Sequence, residues 1–171
     1  MAYKMGLPIS KFIAATNLND SVPKFLTTKR FIPKESIKTI SNAMDVGNPS
    51  NFLRLTSFFN DSFSEISNMI SGKSVNDKET LHSIKEVFSQ CNYTLDPHTA
   101  VGYNALNDYL NEKQTGIVLA TAHPAKFFDT VESAIDQKIQ IPERLTSCLK
   151  KKKKAEFISN DFDELRSILL T

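Results

Sequence analysis

Residues 41–52 (SNAMDVGNPSNF) constrain the fold of this chain more than any other stretch, because turn-forming polar side chains surround one glycine and one proline. Asn, Asp and Ser side chains bond to nearby backbone groups and favour turns and helix caps. Gly47 can adopt a positive φ, and Pro49 disfavours helix at the preceding residue while suiting the first turn of a helix. The stretch therefore predicts a polar loop that leads into a helix near Pro49.

Short apolar runs between helical patterns predict an α/β fold with a parallel sheet. Residues 11–16 and 115–121 are typical of buried strands, and the second run is the clearer one. Residues 38–41 and 155–158 predict two further short strands. Helix signals lie between and around these runs. In the first half of the chain they predict helices from Asp20 or Ser21, from near Pro49 to Ser71 with a break at 60–61, and from Lys78 to Gln90. In the second half they predict helices from Asp96 to about Glu112, from about Pro124 to Asp136, and from Asp161 to Leu170.

Composition excludes several classes of partner. The chain has 21 basic and 19 acidic side chains, so its net charge of +2 gives no general attraction to nucleic acid or membranes. The basic run Lys150–Lys154 has no interleaved aromatic residues and predicts a solvated loop. Cys91 and Cys148 show no metal or disulfide spacing, and no apolar run approaches about 18 residues. We therefore expect a cytoplasmic protein with no metal site and no nucleic-acid or membrane partner.

Polar residues gather at two points where a predicted strand ends. Thr16-Asn17 follows the first strand and Thr121–His123 follows the clearest one. Open parallel sheets bind ligands at the carboxyl ends of their strands, and the helix that starts near Pro124 presents N–H groups that favour anions. The sequence therefore predicts one site formed by these two junctions and by residues 41–52.

Four segments in this order resemble the C-terminal part of the threonine synthases, pyridoxal-phosphate enzymes of the tryptophan-synthase-β fold type. They are FIAATNLND (12–20), SNAMDVGNPSN (41–51), DPHTAVG (96–102) and LATAHPAKF (119–127). The resemblance implies a three-layer, parallel-sheet portion of a fold type II pyridoxal-phosphate enzyme. It also implies that residues 1–171 are the C-terminal portion of the large catalytic domain, with no complete second domain.

Two parts of the family pattern do not occur in this sequence. The Schiff-base lysine, in a Ser-x-Lys-Asp type motif, and the Gly/Asn-rich phosphate loop lie upstream in the family, and Ser10-Lys11 lacks the acidic follower. Residues 1–6 resemble the last turn of a helix that ends at Gly6, which suggests an internal start. We therefore expect the chain to need the missing N-terminal half of the enzyme, and to be inactive alone.

The resemblance also implies a reaction and the residues that serve it. Threonine synthases convert O-phosphohomoserine and water to threonine and phosphate with pyridoxal phosphate as electron sink. Thr121 is the expected hydroxyl partner of the pyridine nitrogen, and no catalytic residue is assigned within this chain. The expected contacts to substrate, including its phosphate, are Asn48, Ser50, Asn51, Arg54 and Lys126.

Each assignment has a structural alternative. The Thr121 hydroxyl could form a hydrogen bond with a backbone group at a strand end. The polar residues of the loop could cap the following helix and one another, and Lys126 could be a solvated helix lysine. His123 and His98 are more simply a turn residue and a helix-start residue. The alternative for the whole chain is a non-catalytic ligand-binding or interaction module derived from the enzyme.

Overall fold

The structure, a computed structural model, describes residues 2–170, which form two compact units, Met1–Ile139 and Gln140–Thr171. The first unit contains strands β1 (Phe12–Thr16) and β2 (Ile70–Ser74) and helices α1 (Ser21–Thr28), α2 (Phe52–Phe58), α3 (Phe63–Met69), α4 (Asp77–Cys91), α5 (Pro97–Asn107) and α6 (Phe128–Ile135). The second contains α7 (Glu143–Leu149) and α8 (Phe162–Leu170). Short 3-10 turns cover Tyr3–Met5, Asn42–Met44 and Pro124–Phe127.

A parallel strand pair organises the first unit. β1 and β2 pair in register from Phe12 opposite Ile70 to Thr16 opposite Ser74. Because side chains alternate along a strand, Phe12 and Ala14 pack into the cluster of α1, α2 and α3. Ile13 and Ala15 point the other way and pack on Val101 and Ala105 of α5. The two faces make three layers, which confirms the predicted α/β fold with a parallel sheet.

Several helix boundaries follow their sequence signals. Asp96 caps α5 and accepts hydrogen bonds from the backbone N–H groups of His98 (2.9 Å) and Thr99 (3.3 Å). α1 begins at Ser21 as predicted, and the break between α2 and α3 falls where Asn60 and Asp61 have positive φ. α5 ends at Asn107, earlier than the predicted end near residue 112.

The N-terminal turn agrees with its prediction over the described residues. The 3-10 turn Tyr3–Met5 ends at Gly6, which has a φ of 94° and donates its N–H to the Tyr3 carbonyl. This is the left-handed conformation that glycine adopts without strain. The predicted segment 1–6 starts at Met1, which lies outside the described residues.

The first two residues of β2, Ile70 and Ser71, were predicted as the end of a helix, and that prediction is wrong. Its sequence, ISGKS, contains only one residue with strong strand preference. Gly72 is required because α1 lies directly on the strand: a Cβ at Gly72 would come within 2.8 Å of the Pro23 Cα. Close packing of α1 thus selects glycine where a strand former would be expected.

The predicted strand at 115–121 is also wrong: these residues pair with no strand of the described chain and are largely exposed. The segment has apolar side chains both on the face toward α5 and on the face toward solvent. A Cβ at Gly102 of α5 would meet the Val118 side chain, whereas Ile117 and Leu119 are 80% and 81% exposed. A strand needs a neighbour that satisfies its backbone groups, and within residues 2–170 this segment has none.

The strands predicted at 38–41 and 155–158 are absent from the described residues too. In residues 38–41, side chains rather than a neighbouring strand accept hydrogen bonds from the backbone N–H groups. The Thr39 N–H donates to Asp45 (3.0 Å) and the Ile40 N–H donates to Asp77 (3.3 Å). The second segment is irregular and exposed. Between residues 2 and 170, no helix is both long and apolar enough to cross a membrane.

The exposed apolar segment leads to a first prediction. The purified chain should self-associate, because the Ile117 and Leu119 side chains and the unpaired backbone between them favour edge-to-edge pairing. The double substitution Ile117→Lys, Leu119→Lys should lower the apparent mass measured by multi-angle light scattering. Leu53→Lys removes an equally exposed leucine from a helix and should leave it unchanged. A monodisperse wild-type monomer at all concentrations would contradict the prediction.

Candidate functional site

A groove lies at the carboxyl end of β1. It encloses about 490 Å³ between the strand, the start of α1 and the loop that leads into α2. No charged side chain of residues 2–170 lines it. Its polar side chains belong to Thr16, Asn19, Ser50 and Asn51, and its apolar part comes from Ala14, Ala15, Val22, Met44, Val46, Pro49, Phe52 and Leu55. The groove therefore offers neutral hydrogen-bonding groups beside an apolar wall.

A buried amide and a carboxylate fix the loop to the end of β1. The Asn17 side chain is 1% exposed, and its Nδ2 donates to Asp45 Oδ1 and Thr39 Oγ1, both at 2.8 Å. Asp45 also accepts from the Thr39 backbone N–H (3.0 Å) and hydroxyl (2.7 Å). Hydrogen bonds to a charged group contribute about 1.5–3 kcal/mol each. In the first half of the loop, the Ser41 and Asp45 side chains are therefore structural, whereas the exposed Asn42 side chain makes no hydrogen bond to another described residue.

Asn19, two residues after Asn17, belongs to the same hydrogen-bond network. Its side chain donates to the Ile37 carbonyl (2.9 Å) and accepts from the Ile37 N–H (2.8 Å), as a paired strand would. The Asn19 Nδ2 also donates to Asn17 Oδ1 (2.9 Å). This side-chain pairing replaces the strand that the sequence predicted just after Ile37.

Gly47 has a role that differs from the one its sequence context suggests. It does not have a positive φ. A Cβ there would overlap the carbonyl oxygen of Lys34, which shows that two loop segments touch at this point. The Gly47 carbonyl accepts from the Ser21 hydroxyl (2.7 Å) and the Lys34 N–H (3.1 Å), and its N–H donates to Ser36 (3.1 Å). Close approach of backbone, rather than turn geometry, demands glycine.

Asp20 forms an ion pair with Lys34, in the segment that touches Gly47. Burial raises the pKa of this carboxyl, but hydrogen bonds from Lys24 and Lys34, with the attraction of their charges, outweigh burial, so the pKa is lowered from 3.8. The nitrogen–oxygen distances are 2.9 Å for Lys24 and 3.0 Å for Lys34. Because the folded state lowers the pKa, this contribution to stability is present above the unfolded pKa and is lost as the pH falls through the folded one.

The start of α5 joins the loop to the segment that follows residue 121. The Asp96 carboxylate, 2% exposed, lies 3.1 Å from His98 Nδ1. His98 Nε2 accepts a hydrogen bond from the Ala43 backbone N–H at 3.1 Å. The imidazole also contacts the Phe127 ring, with a centroid distance of 4.8 Å. His98, predicted as a helix-start residue, thus contacts the loop at Ala43 and also Phe127, which lies four residues beyond the predicted junction at 121–123.

The predicted substrate residues of the loop divide into two groups. Ser50 and Asn51 line the groove, whereas Asn48 and Arg54 do not. All four side chains are exposed and make no hydrogen bond to another described residue. Asn51 occupies the N-cap position of α2 without a side-chain cap bond. The capping alternative therefore does not account for these side chains, and they are accessible to a ligand.

The other predicted contacts lie outside the groove. Thr121 and Lys126 are exposed and do not line it. His123 acts as a turn residue, as the simpler interpretation held: its Nδ1 accepts from the Ala125 N–H at 3.1 Å. The structure brings the Thr16-Asn17 junction and the loop into one groove, but it does not bring residues 121–123 of the other predicted junction into that groove.

Thr16 is a groove residue that the sequence placed at the site without assigning it a contact. Its hydroxyl oxygen is buried and has no hydrogen-bond partner in the described chain. Thr16 lies on the same face of β1 as Phe12 and Ala14, which is the face toward α1 and the groove. The available signal was its position as the last residue of a strand. An unpaired buried hydroxyl beside a groove is a hydrogen-bonding group available to a ligand.

The close approach at Gly47 leads to a second prediction. Gly47→Ala should lower the free energy of unfolding by about 1–3 kcal/mol, because backbone must move to admit the methyl group. Urea denaturation followed by circular dichroism measures this change. Asn48→Ala, at the exposed neighbouring position, should change stability by less than about 0.5 kcal/mol. Equal effects of the two substitutions would show that the close approach is unimportant.

Comparison with known proteins identifies relatives over nearly the whole chain. A family described as "Threonine synthase, C-terminal" matches residues 99–169. Threonine synthase from Buchnera aphidicola subsp. Schizaphis graminum is 39% identical over 170 residues, which cover 99% of this chain and 39% of the relative. The chain thus spans about two fifths of the length of the curated relatives it matches.

Solved structures of threonine synthases have a fold similar to that of this chain. Threonine synthase from Escherichia coli has a TM-score of 0.88 and 37% identity, with 99% of this chain and 39% of that chain covered. A PLP-bound threonine synthase from Brucella melitensis has a TM-score of 0.79 and 28% identity, covering 98% of this chain and 41% of that chain. Sequence and fold together show that this chain resembles the C-terminal portion of the threonine synthases over nearly its whole length.

Proposed function

We propose that this chain supplies part of the site of a threonine synthase that converts O-phosphohomoserine and water to threonine and phosphate. The principal support is 39% identity to a threonine synthase over 99% of the chain. A groove with accessible neutral hydrogen-bonding groups at the carboxyl end of a parallel strand adds to it. The proposal treats residues 1–171 as a C-terminal portion of the large catalytic domain, with no complete second domain.

Pyridoxal phosphate is the cofactor in this proposal, and the residues present are compatible with it. When bound, it provides the electron sink that permits proton removal at Cα and Cβ of the amino acid. The Thr121 hydroxyl is exposed and has no hydrogen-bond partner in the described chain, so it is accessible to the pyridine nitrogen. A hydroxyl can donate or accept there, and it does not hold that nitrogen protonated as a carboxylate would.

The proposed substrate contacts are the accessible polar side chains of the loop and two cations. Ser50 and Asn51 would bind the polar groups of O-phosphohomoserine within the groove, with Asn48 beside them. Arg54 and Lys126 carry the positive charge that a phosphate requires. The apolar lining from Val22, Phe52 and Leu55 would exclude water around the ligand. These residues bind and orient, and no proton-transfer step is assigned to any of them.

The chain covers 39% of its relative, so in this proposal the covalent step depends on residues supplied by an N-terminal half. The chain alone should then show no turnover. The second candidate is a non-catalytic module that binds the same ligands, favoured by the accessible groove. The proposal includes a cytoplasmic location, consistent with two cysteines that are both free, and no nucleic-acid or membrane partner.

A third prediction tests the catalytic part of the proposal. The purified chain should release no phosphate from O-phosphohomoserine with pyridoxal phosphate present, whereas addition of the N-terminal portion of a related threonine synthase should restore release. A malachite-green assay measures the phosphate. Turnover by the chain alone would contradict the expected dependence on the N-terminal half. Ligand binding by the chain with no rescue would favour the module.

A fourth prediction tests the role of Thr121. Thr121→Val should weaken pyridoxal phosphate binding by about tenfold, the equivalent of one hydrogen bond. Absorbance titration of the chain measures the affinity. Thr115→Val changes an exposed threonine of the same segment and should have no effect. Equal affinities of wild type and Thr121→Val would remove Thr121 from the cofactor site.

Titrations of the same kind distinguish a substrate contact from a cofactor contact. Asn51→Ala should weaken O-phosphohomoserine binding by about tenfold through loss of one hydrogen bond, without changing pyridoxal phosphate affinity. Isothermal titration calorimetry measures both constants. Asn68→Ala, at an exposed asparagine of α3, is the matched control. An unchanged affinity in Asn51→Ala would exclude that residue as a substrate contact.

A further inference from the structure

We propose that His98 is a positioning residue that fixes the main chain of the loop on one side of the groove through its Nε2 atom. The two hydrogen bonds of its ring define the protonation state required. The Asp96 carboxylate accepts at 3.1 Å, so Nδ1 carries the proton. The Ala43 N–H donates to Nε2 at 3.1 Å, so Nε2 carries none. The two hydrogen bonds fit the ring in its Nδ1–H form.

Asp96 is well suited to hold the ring in this form. It is 2% exposed, and its Oδ1 also accepts from the backbone N–H groups of His98 and Thr99 at the start of α5. Its Oδ2 accepts from the Thr99 hydroxyl. The carboxylate is thereby fixed by the helix it caps, and the imidazole inherits that orientation. The ring is directed by α5 rather than by the loop it contacts.

Ala43 is well placed to transmit this constraint. It lies in the 3-10 turn Asn42–Met44, immediately before two residues, Met44 and Val46, that line the groove. Met44 also packs against the cluster of Val75, Val101 and Ala105. The Asn17–Asp45 network holds the turn from β1, and His98 holds it from α5. Loss of the His98 contact would remove the hydrogen bond that joins the turn to α5 and leave only the packing of Met44 on that side.

The imidazole also contacts Phe127, which lies just beyond the other predicted junction. Its ring lies 4.8 Å from the Phe127 ring, one residue beyond Lys126. One side chain thus sets the loop that carries Ser50 and Asn51 and packs against the segment that carries Lys126. The effect on ligand affinity rests on the proposed function, whereas the effect on the loop does not.

The experiment separates the hydrogen bond from simple packing. His98→Phe fills the space but offers no acceptor to Ala43, while His98→Gln keeps an acceptor near the Nε2 position. His82→Gln alters the exposed histidine of α4 and is the matched control. Amide hydrogen exchange measured by NMR on the full chain reports the Ala43 N–H directly, and ¹⁵N shifts of the imidazole report its protonation.

We expect exchange at Ala43 to accelerate about tenfold in His98→Phe, to return within about threefold of wild type in His98→Gln, and not to change in His82→Gln. The wild-type ring should show an unprotonated Nε2. Unchanged Ala43 exchange in a folded His98→Phe, or a protonated Nε2 in the wild type at neutral pH, would overturn the proposal. If His98→Phe does not fold, Asp96→Asn, which keeps a helix cap but weakens control of the ring, should also accelerate Ala43 exchange, and no acceleration would overturn it.

Calorimetric titration with O-phosphohomoserine completes the test. His98→Phe should weaken binding and His98→Gln should restore it, and weakening without restoration would contradict positioning through the Nε2 acceptor. Absence of binding by every variant, wild type included, would count against the proposed substrate site. The exchange measurements would then still decide the role of His98, so the two failures are distinguishable.

Discussion

The hydrogen bond between the Asn17 amide and the Asp45 carboxylate is the interaction on which the site depends. A loop of this length has no ladder of backbone hydrogen bonds, so side chains must satisfy its polar groups. Asn17 is positioned by β1, and at 2.8 Å it brings Asp45 to the carboxyl end of that strand. Thr39 joins the same carboxylate from the preceding segment. The groove forms beside this buried anchor.

The loop therefore divides into a structural half and an accessible half. Up to Gly47, the Ser41 and Asp45 side chains bond to Asn17 and the Gly47 carbonyl bonds to Ser21, and only the exposed Asn42 side chain makes no hydrogen bond within the described chain. After Gly47 the side chains of Asn48, Ser50 and Asn51 make no hydrogen bond within the described chain. The same composition that predicted one polar loop thus serves two purposes. Rigid anchoring on one side is what allows unoccupied groups on the other to face a ligand in a defined position.

Local signals predicted much of the fold. Asp96-Pro97 specified the start of α5, and the apolar spacing of 78–90 specified α4, because caps and periodicity act within a few residues. The strand at 115–121 was mispredicted because apolar residues alone do not make a strand without a neighbour. β2 was missed for the opposite reason: it has a neighbour, but its sequence is weakly strand-forming because α1 requires glycine at position 72.

The candidate site was predicted in part. The sequence indicated that the Thr16-Asn17 junction and residues 41–52 meet, and the groove contains both. It did not indicate that Asp45 and Asn19 are structural, that Thr16 has an unpaired buried hydroxyl, or that His98 contacts the Ala43 backbone. Those facts depend on contacts between residues as much as 55 positions apart. The sequence by itself determined the resemblance to the threonine synthases, the helix caps and the polar character of the loop, since these reside in short segments. Only the tertiary structure decided which polar groups are occupied and which are accessible, because a hydrogen-bond partner distant in sequence is known only once the chain has folded.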